Sequence, residues 1–366
     1  MADTPNPLVL ITGILSELGE PIASVLENDY RVVGLDKEPP DNGDGPPVIR
    51  CDLTKDISVE TALEEVRDRH GGVIGSVLHL AAYYDFTGED NPLYRSLNIE
   101  GTRRLLKGLQ RFRVNQFVYS GTMLVHKAVA PGQHIDEERR LDPRWIYPKS
   151  KAEAERVIRE AHGAIPYVLL HLAGLYDDDT LIPTLAHQVA RIWERTLESH
   201  IYPGNLKTGQ SMVHHDDMAD AFRRTVDRRA DLPAAATLLI GEPDPPPYGA
   251  LQDRIGEILH GEHWATLRVP AVAAAAGAWV KDEAAAHLPG ALGGGHEPFV
   301  RPFMALEASD HYALDITRAR DLLGWAPRHR LLDDLPGILA KLKRDPKTWY
   351  EKNKLELPAK SKEPAG

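Results

Sequence analysis

Cysteine is almost missing: Cys51 is the only one in 366 residues. A single thiol excludes an intramolecular disulfide and a multi-cysteine metal site. It reads as a small apolar strand residue in a reducing compartment. Long apolar runs are missing too. The longest, over 271–280, is alanine-rich and too short to span a bilayer. No basic region and apolar signal core come before the first strand-like run at Leu8. A soluble, cytoplasmic protein with no membrane partner is therefore expected. Basic residues are outnumbered, 43 Lys and Arg against 54 Asp and Glu, for a net charge of −11. Nucleic acid needs basic faces, so it is not expected as a main partner. Aromatics make up only 7%, yet a hydrophobic content of 42% is enough for a substantial core. The length suits one large α/β unit with an appended part.

What is present is an alternation of strands and helices. Leu8-Val9-Leu10-Ile11 is an apolar run without alternation, as in a buried parallel strand. Thr12-Gly13, Gly19 and an amphipathic stretch over 21–27 follow. Strand, glycine turn and helix in that order are the context of a dinucleotide-binding fingerprint, with a helix N-terminus available to hold a pyrophosphate. The middle glycine of that pattern is Ser16, whose hydroxyl either substitutes as a donor or weakens binding. The second strand, 31–35, ends in Asp36, about 20 residues beyond the glycine turn, where a carboxylate takes ribose hydroxyls. That charge repels a 2′-phosphate and favours NAD over NADP; the neighbouring Lys37 keeps NADP as the alternative. A third strand over 48–51 ends in Asp52-Leu53, a fourth over 76–80 in Ala81-Ala82, and a fifth over 116–119 in Ser120-Gly121-Thr122. Helices are predicted over 56–70, 91–112 and 145–161, with a sixth strand over 166–172. The pattern predicts a doubly wound parallel sheet. Beyond 175 we expect a helix over 181–197, a short strand over 212–215, an aspartate-capped helix over 216–227 and a seventh strand over 238–240. An alanine-rich helix over 271–287 and a glycine loop over 290–295 come next, then helices over 317–323 and 331–344. The tail from 352 is polar and expected to fray.

Tyr147 and Lys151 lie four apart, one turn from each other on a helix, where an ammonium can favour the ionised phenol. Spacing alone does not single them out, because Tyr350 and Lys354 repeat it. Asn98 fits either a polar helix face or a functional site.

Together these residues resemble the extended short-chain dehydrogenase/reductase family, the NAD-dependent epimerase/dehydratase group, over roughly 8–345. Thr12-Gly13…Gly19 is similar to its phosphate loop, Asn98-Ile99-Glu100-Gly101-Thr102 to its helix motif and Tyr119-Ser120-Gly121-Thr122 to its fifth strand. Tyr147-x-x-x-Lys151 follows Thr122 at the family's usual interval. Val213-His214-His215-Asp216-Asp217 and Leu323-Gly324-Trp325-Ala326-Pro327 resemble its later signatures. The resemblance implies a Rossmann-type NAD-binding domain over 1–175, joined by strands from about 207–242. It implies a mostly substrate-binding, mixed α/β part over 176–345 and a polar tail over 346–366. It implies cofactor contacts from Gly13, Leu15, Ser16, Leu18, Gly19, Asp36, Lys37, Asp52, Leu53, Leu80, Ala81, Ala82, Tyr147, Lys151, Leu172 and Gly174. It implies catalysis by Thr122, Tyr147 and Lys151 with help from Asn98, on a small-molecule sugar or nucleotide-sugar alcohol, in a homodimer. The pair at Tyr350 and Lys354 is then a surface coincidence.

Departures narrow the choice. Met123-Leu124 stand where family dehydratases carry an acid and a base, so 4,6-dehydration is not expected. No arginine precedes the Val-His segment to clamp a pyrophosphate; Lys207 or Arg301 would have to compensate. The Arg-Pro that often ends the sixth strand is His171-Leu172. Dehydrogenation of a non-sugar alcohol or ketone is the alternative, and a non-catalytic nucleotide-binding regulator the alternative from another class. His126, where many relatives have tyrosine, reads as a substrate contact or a surface histidine. No metal is expected from His214-His215-Asp216-Asp217, since adjacent strand residues face opposite ways. Asp177-Asp178-Asp179 reads as a solvated acidic turn.

Overall fold

The computed structural model describes residues 6–40, 45–85, 88–269 and 308–358. The helix expected over 271–287, the loop over 290–295 and Arg301 lie outside the described residues.

Seven strands form one parallel sheet. They are β1 (Leu8–Thr12), β2 (Arg31–Asp36), β3 (Val48–Arg50), β4 (Ser76–His79), β5 (Phe117–Thr122), β6 (Tyr167–Leu172) and, much later, β9 (Ala235–Ile240). Their order across the sheet is β9-β6-β5-β4-β1-β2-β3. β1 and β5 are buried at every position. Such strands need cover on both faces, which explains their unbroken apolar runs. Alternation splits them between two cores. Val9, Ile11, Val118 and Leu170 face α1 (Gly19–Leu26) and α6 (His215–Asp227) in one core. Leu8, Leu10, Phe117 and Leu169 pack with α2 (Asp56–His70), α3 (Glu100–Leu109) and α4 (Ile146–Ala161) in the other. The expected doubly wound sheet is borne out.

A third core belongs to the smaller carboxyl-terminal part. It joins α5 (Pro183–Trp193), α7 (Tyr248–His260), α9 (Leu331–Arg344) and α10 (Pro346–Lys352) through Leu185, Val189, Ile255, Leu339 and Trp349. Two short strands, β7 (Gly174–Tyr176) and β8 (Met212–His214), pair beside the main sheet, and α8 (Thr317–Leu323) packs on the first core. Among the described residues no helix is long and apolar enough to cross a membrane.

The structure departs from the sequence reading in several places. The helix predicted over 91–112 contains a π-helical stretch, Tyr94–Ile99, immediately before α3. The cap of α6 is the His214 side chain, which accepts the Asp216 N–H, and not an aspartate. Tyr350 is not on the surface: it is 1% exposed and its hydroxyl donates to Glu194 Oε1 at 2.5 Å. The tail is also tied down past 352, because Asn353 accepts the Leu181 N–H and donates to the Asp179 carbonyl. α7 was not anticipated.

Candidate active site

The carboxyl ends of β5, β4, β1 and β2 lie side by side in the sheet, on the edge where such sheets place their ligands. Gly13 leaves β1 at φ +71, and a Cβ there would lie 2.9 Å from the Ala81 backbone. Gly19 opens α1 so tightly that a Cβ would meet the carbonyls of Gly13 and Ile14. Only glycine fits either place. Ser16 does not reach outward. Its hydroxyl donates to the Gly13 carbonyl at 2.6 Å and accepts the Gly19 N–H at 3.2 Å, closing the loop on itself. Leu18 precedes α1, and Leu15 is 40% exposed at the mouth of the loop. Asp36 ends β2 and accepts the N–H groups of Leu15 and Lys37 at 3.1 and 2.7 Å. The glycine-only cradle and the carboxylate beside it fit a dinucleotide.

The other expected cofactor residues fall nearby with differing duties. Asp52 spends its carboxylate on its own turn, accepting the Thr54 N–H and hydroxyl and pairing with Lys55 at 3.3 Å. Leu53 is buried against Gly101. Leu80 is buried, Ala81 and Ala82 partly so. Leu172 ends β6, and Gly174 opens β7. Lys37 is exposed.

Lys151 is 2% exposed, and its ammonium donates to the Ser120 carbonyl at 2.7 Å, two residues before Thr122. Its Nζ lies 4.8 Å from the Tyr119 ring centre and 5.9 Å from that of Tyr147. Burial pulls the Lys151 pKa down to about 7, with Glu155 opposing. Burial also pushes the Tyr147 hydroxyl well above its ordinary value, with Tyr94 adding to it. In the protein alone, desolvation thus outweighs the lowering of the phenol expected from the spacing. Thr122 caps a short 3-10 turn, its hydroxyl accepting the Leu124 N–H at 3.3 Å. Asn98 sits in the π-helix, a frequent site of functional residues. Its amide donates to the Tyr83 carbonyl and the Ser150 hydroxyl and accepts the Tyr83 N–H. Ser150 in turn donates to the Tyr147 carbonyl at 2.8 Å. Asn98 therefore holds the first turn of α4 and spends neither amide proton on Lys151.

Sequence reasoning missed two features. His79, fully buried on β4, links Thr12 at 2.7 Å to Thr102 at 2.8 Å, and Thr102 donates to the Asn98 carbonyl. Burial, with Lys151 adding, lowers His79 to about 3 and keeps it neutral. The second is an aromatic wall. Tyr84 stands edge-on to Tyr147 at 4.7 Å, and Trp145 lies 5.6 Å from it. A histidine inside an apolar strand and tyrosines in a loop carry no spacing signal.

Other clusters are held by contacts within the protein. His214, Asp216 and His329 come within metal-ligand range of one another. His214 Nδ1 accepts the Asp216 N–H, which puts its proton on Nε2. The rings of His214 and His329 stack at 3.9 Å and 13°, so their in-plane lone pairs lie in separate, nearly parallel planes. The Asp177–179 turn is ion-paired: Lys341 and Lys352 each reach Asp179 at 2.9 Å. His126 is neither exposed nor in a crevice; it is buried against His171. A cavity of about 540 Å³ lined by Asp136, Glu137, Asp315 and Arg318 lies at the opposite, amino end of β9 and is too acidic for a dinucleotide.

Comparison with known proteins agrees with this geometry. Residues 9–241 match the model of the NAD dependent epimerase/dehydratase family. A decarboxylating sterol-4-alpha-carboxylate 3-dehydrogenase of Schizosaccharomyces pombe is 30% identical over 137 residues, 36% of this chain and 38% of that protein. An undecaprenol-linked N-acetylglucosaminyl 4-epimerase of Escherichia coli O157:H7 is 25% identical over 166 residues, 44% of this chain and 45% of that protein. The chain thus spans less than half the length of the curated relatives it matches. The fold superposes on UDP-glucose 4-epimerase of Thermus thermophilus, solved with NAD, with a TM-score of 0.64 and 19% identity over 92% of this chain and 99% of that one. Family match, sheet and glycine cradle together establish that the chain belongs to the NAD dependent epimerase/dehydratase family.

Proposed function

We propose that the protein is an NAD-dependent epimerase or oxidoreductase acting at a secondary alcohol or ketone of a sugar-like substrate. The observation that carries this is Lys151. A lysine buried to 2% and bonded only to a strand carbonyl is costly to fold around, and such groups concentrate at functional sites. In this reading Tyr147, as tyrosinate, takes the proton from the substrate hydroxyl, and Thr122 donates a hydrogen bond to the reacting oxygen. Lys151 favours the tyrosinate and binds the dinucleotide. Asn98 holds Tyr147 in place through Ser150. Gly13, Gly19 and Asp36 cradle the dinucleotide. NAD, when bound, supplies the hydride acceptor.

A second reading has its own support. The Tyr84–Trp145 wall beside Tyr147, and the lack of a pyrophosphate-clamping arginine before the Val-His segment, suit an apolar alcohol better than a charged sugar nucleotide. The sterol-acting relative points the same way.

The test is absorbance at the reduced-nicotinamide band together with proton NMR of the products, which detects epimers formed without net reduction of NAD, using NAD and a panel of sugar nucleotides, polyols and alicyclic alcohols. Turnover is expected from the wild type and lost, with NAD binding kept, in Tyr147→Phe. A wild type that binds NAD but neither changes its redox state nor converts any panel member to its epimer would favour the non-catalytic regulator. Tighter binding of NADP than NAD would contradict the role given to Asp36.

A further inference from the structure

A second buried polar chain lies under the strand that carries Thr122. His126, His171 and Glu155 are 1%, 1% and 0% exposed. His171 sits on β6, opposite Gly121 of β5. A Cβ on Gly121 would lie 2.7 Å from the His171 ring and 3.3 Å from Glu155 Oε1. The catalytic strand therefore rests directly on this pair, and glycine is what lets it.

The ring protons can be assigned in sequence. The Arg139 carbonyl can only accept, so His126 Nδ1, 3.1 Å away, carries a proton. Burial, and next the neighbouring His171, hold His126 down to about 4, so it is neutral and its Nε2 offers a lone pair. His171 Nδ1, 2.8 Å from that nitrogen, must donate to it. This leaves His171 Nε2 at 2.9 Å from Glu155 Oε1. The contact is too poorly aligned to count as a hydrogen bond. A bare lone pair that close to a carboxylate oxygen would still be repulsive, whereas a proton on Nε2 makes the contact an ion pair. The other Glu155 oxygen takes Arg159 at 3.1 Å. Burial works against the Glu155 charge, and the Arg159 guanidinium on the other oxygen favours the carboxylate whatever the state of His171.

Lys151 is one turn before Glu155 on α4, a spacing at which opposite charges normally meet. It turns to Ser120 instead. We propose that His171 is held as an imidazolium and acts as a positioning residue: with Arg159 it occupies Glu155, and so leaves Lys151 on Ser120 beside Thr122. The groups facing the pair are His126 from the loop after β5, Tyr119 from β5, and Lys151, Glu155 and Arg159 from α4. Tyr119 keeps a buried hydroxyl without a partner. The role rests on reading Lys151 as the lysine that binds the dinucleotide.

Two measurements test it. In ¹⁵N-histidine NMR of the wild-type protein near neutral pH, both ring nitrogens of His171 should be protonated, while His126 is neutral with its proton on Nδ1. A neutral His171 would overturn the proposal. NAD titration of variants tests the consequence. His171→Gln, which keeps polarity but not charge, should bind NAD about tenfold more weakly, the equivalent of one charged hydrogen bond. His171→Arg, which restores the charge, should stay within about twofold of the wild type. Equal loss in both variants, or none in either, would reject the positioning role. If His171→Gln does not fold, His171→Arg and the ring-nitrogen signals still decide. A wild type that does not bind NAD would sink the reading of the site itself, and the NMR measurement would still report the state of His171.

Discussion

Ser16 shows how one hydroxyl can do a glycine's work by another route. Bonded to Gly13 and Gly19, it stiffens the loop before any ligand arrives. Ser16→Ala should therefore destabilise the protein without NAD by about 1 kcal/mol in urea unfolding. Unchanged stability with weakened NAD binding would show that the hydroxyl serves the phosphates instead. The direction of that hydroxyl is not encoded in spacing, which is why the sequence left both options open. Lys151 makes a pH-dependent prediction. Burial lowers its pKa to about 7 from 10.5, so above that point the free protein lacks a proton that the unfolded chain holds. The stability cost of burying Lys151 is thus full below about pH 7 and fades as pH rises toward its ordinary value. If NAD binds the ammonium form, binding takes up a proton. Calorimetry in buffers of different ionisation enthalpy should find uptake approaching about one proton near pH 8.5 and about zero below pH 6. Lys151→Met should remove the difference.

Among the elements, the two late signatures turn out to be one joint. Asp217, on α6, accepts the N–H groups of Arg328 and His329 at 2.8 Å each, and its carbonyl accepts the Trp325 indole N–H. Asp217→Ala leaves buried donors without partners and should cost about 3 kcal/mol in denaturant unfolding. A loss within error of zero would mean that Trp325 packing alone holds the joint. The π-helix is a comparable device, since Asn98 ties it to Tyr83 and Ser150. Asn98→Ala is expected to lower stability by about 1–3 kcal/mol, and in the same variant any turnover should fall more than NAD affinity. The starts of β1 to β6, to within a residue, and the helices α2, α8 and α9 were legible from periodicity, whereas β7 was not and β9 starts at Ala235, three residues before the expected 238. α7 was legible in part: Leu251, Ile255 and Leu259 recur every four residues, and Gly261 ends the helix at φ +74. Gly249 and Gly256 hid it, and Gly256 is explained only by Trp264, whose ring and Cβ occupy the space a side chain would need. The π-helix was not legible, because one extra residue per turn leaves the apolar spacing almost intact.

For the whole molecule, a homodimer packed through α3 and α4 would bring together charged faces. Arg103, Glu153, Arg156 and Glu160 point to solvent there, and Arg156 is already paired with both glutamates. A dimer built on these faces should dissociate as salt rises from about 0.05 M to 0.5 M, over which screening lengths shrink severalfold. Sedimentation at both concentrations checks this, and a salt-insensitive dimer would place the interface elsewhere. The sheet was readable through its sixth strand because short apolar runs alternate with helix-patterned stretches as far as Leu172. The buried His171–Glu155 pair was not, because its members are brought together by strand order and helix packing and share no local pattern. The position of β9 also sets a timetable for synthesis. β6 offers its apolar edge to β9 alone, yet β9 begins some 60 residues later in the chain. At ribosomal speeds of about 5–20 residues per second, that edge stays open for roughly 3–12 s after β6 emerges. During that interval the nascent chain has a bare strand edge exposed to its neighbours, and arrested chains ending near residue 200 should bind holdase chaperones more strongly than chains ending past 250.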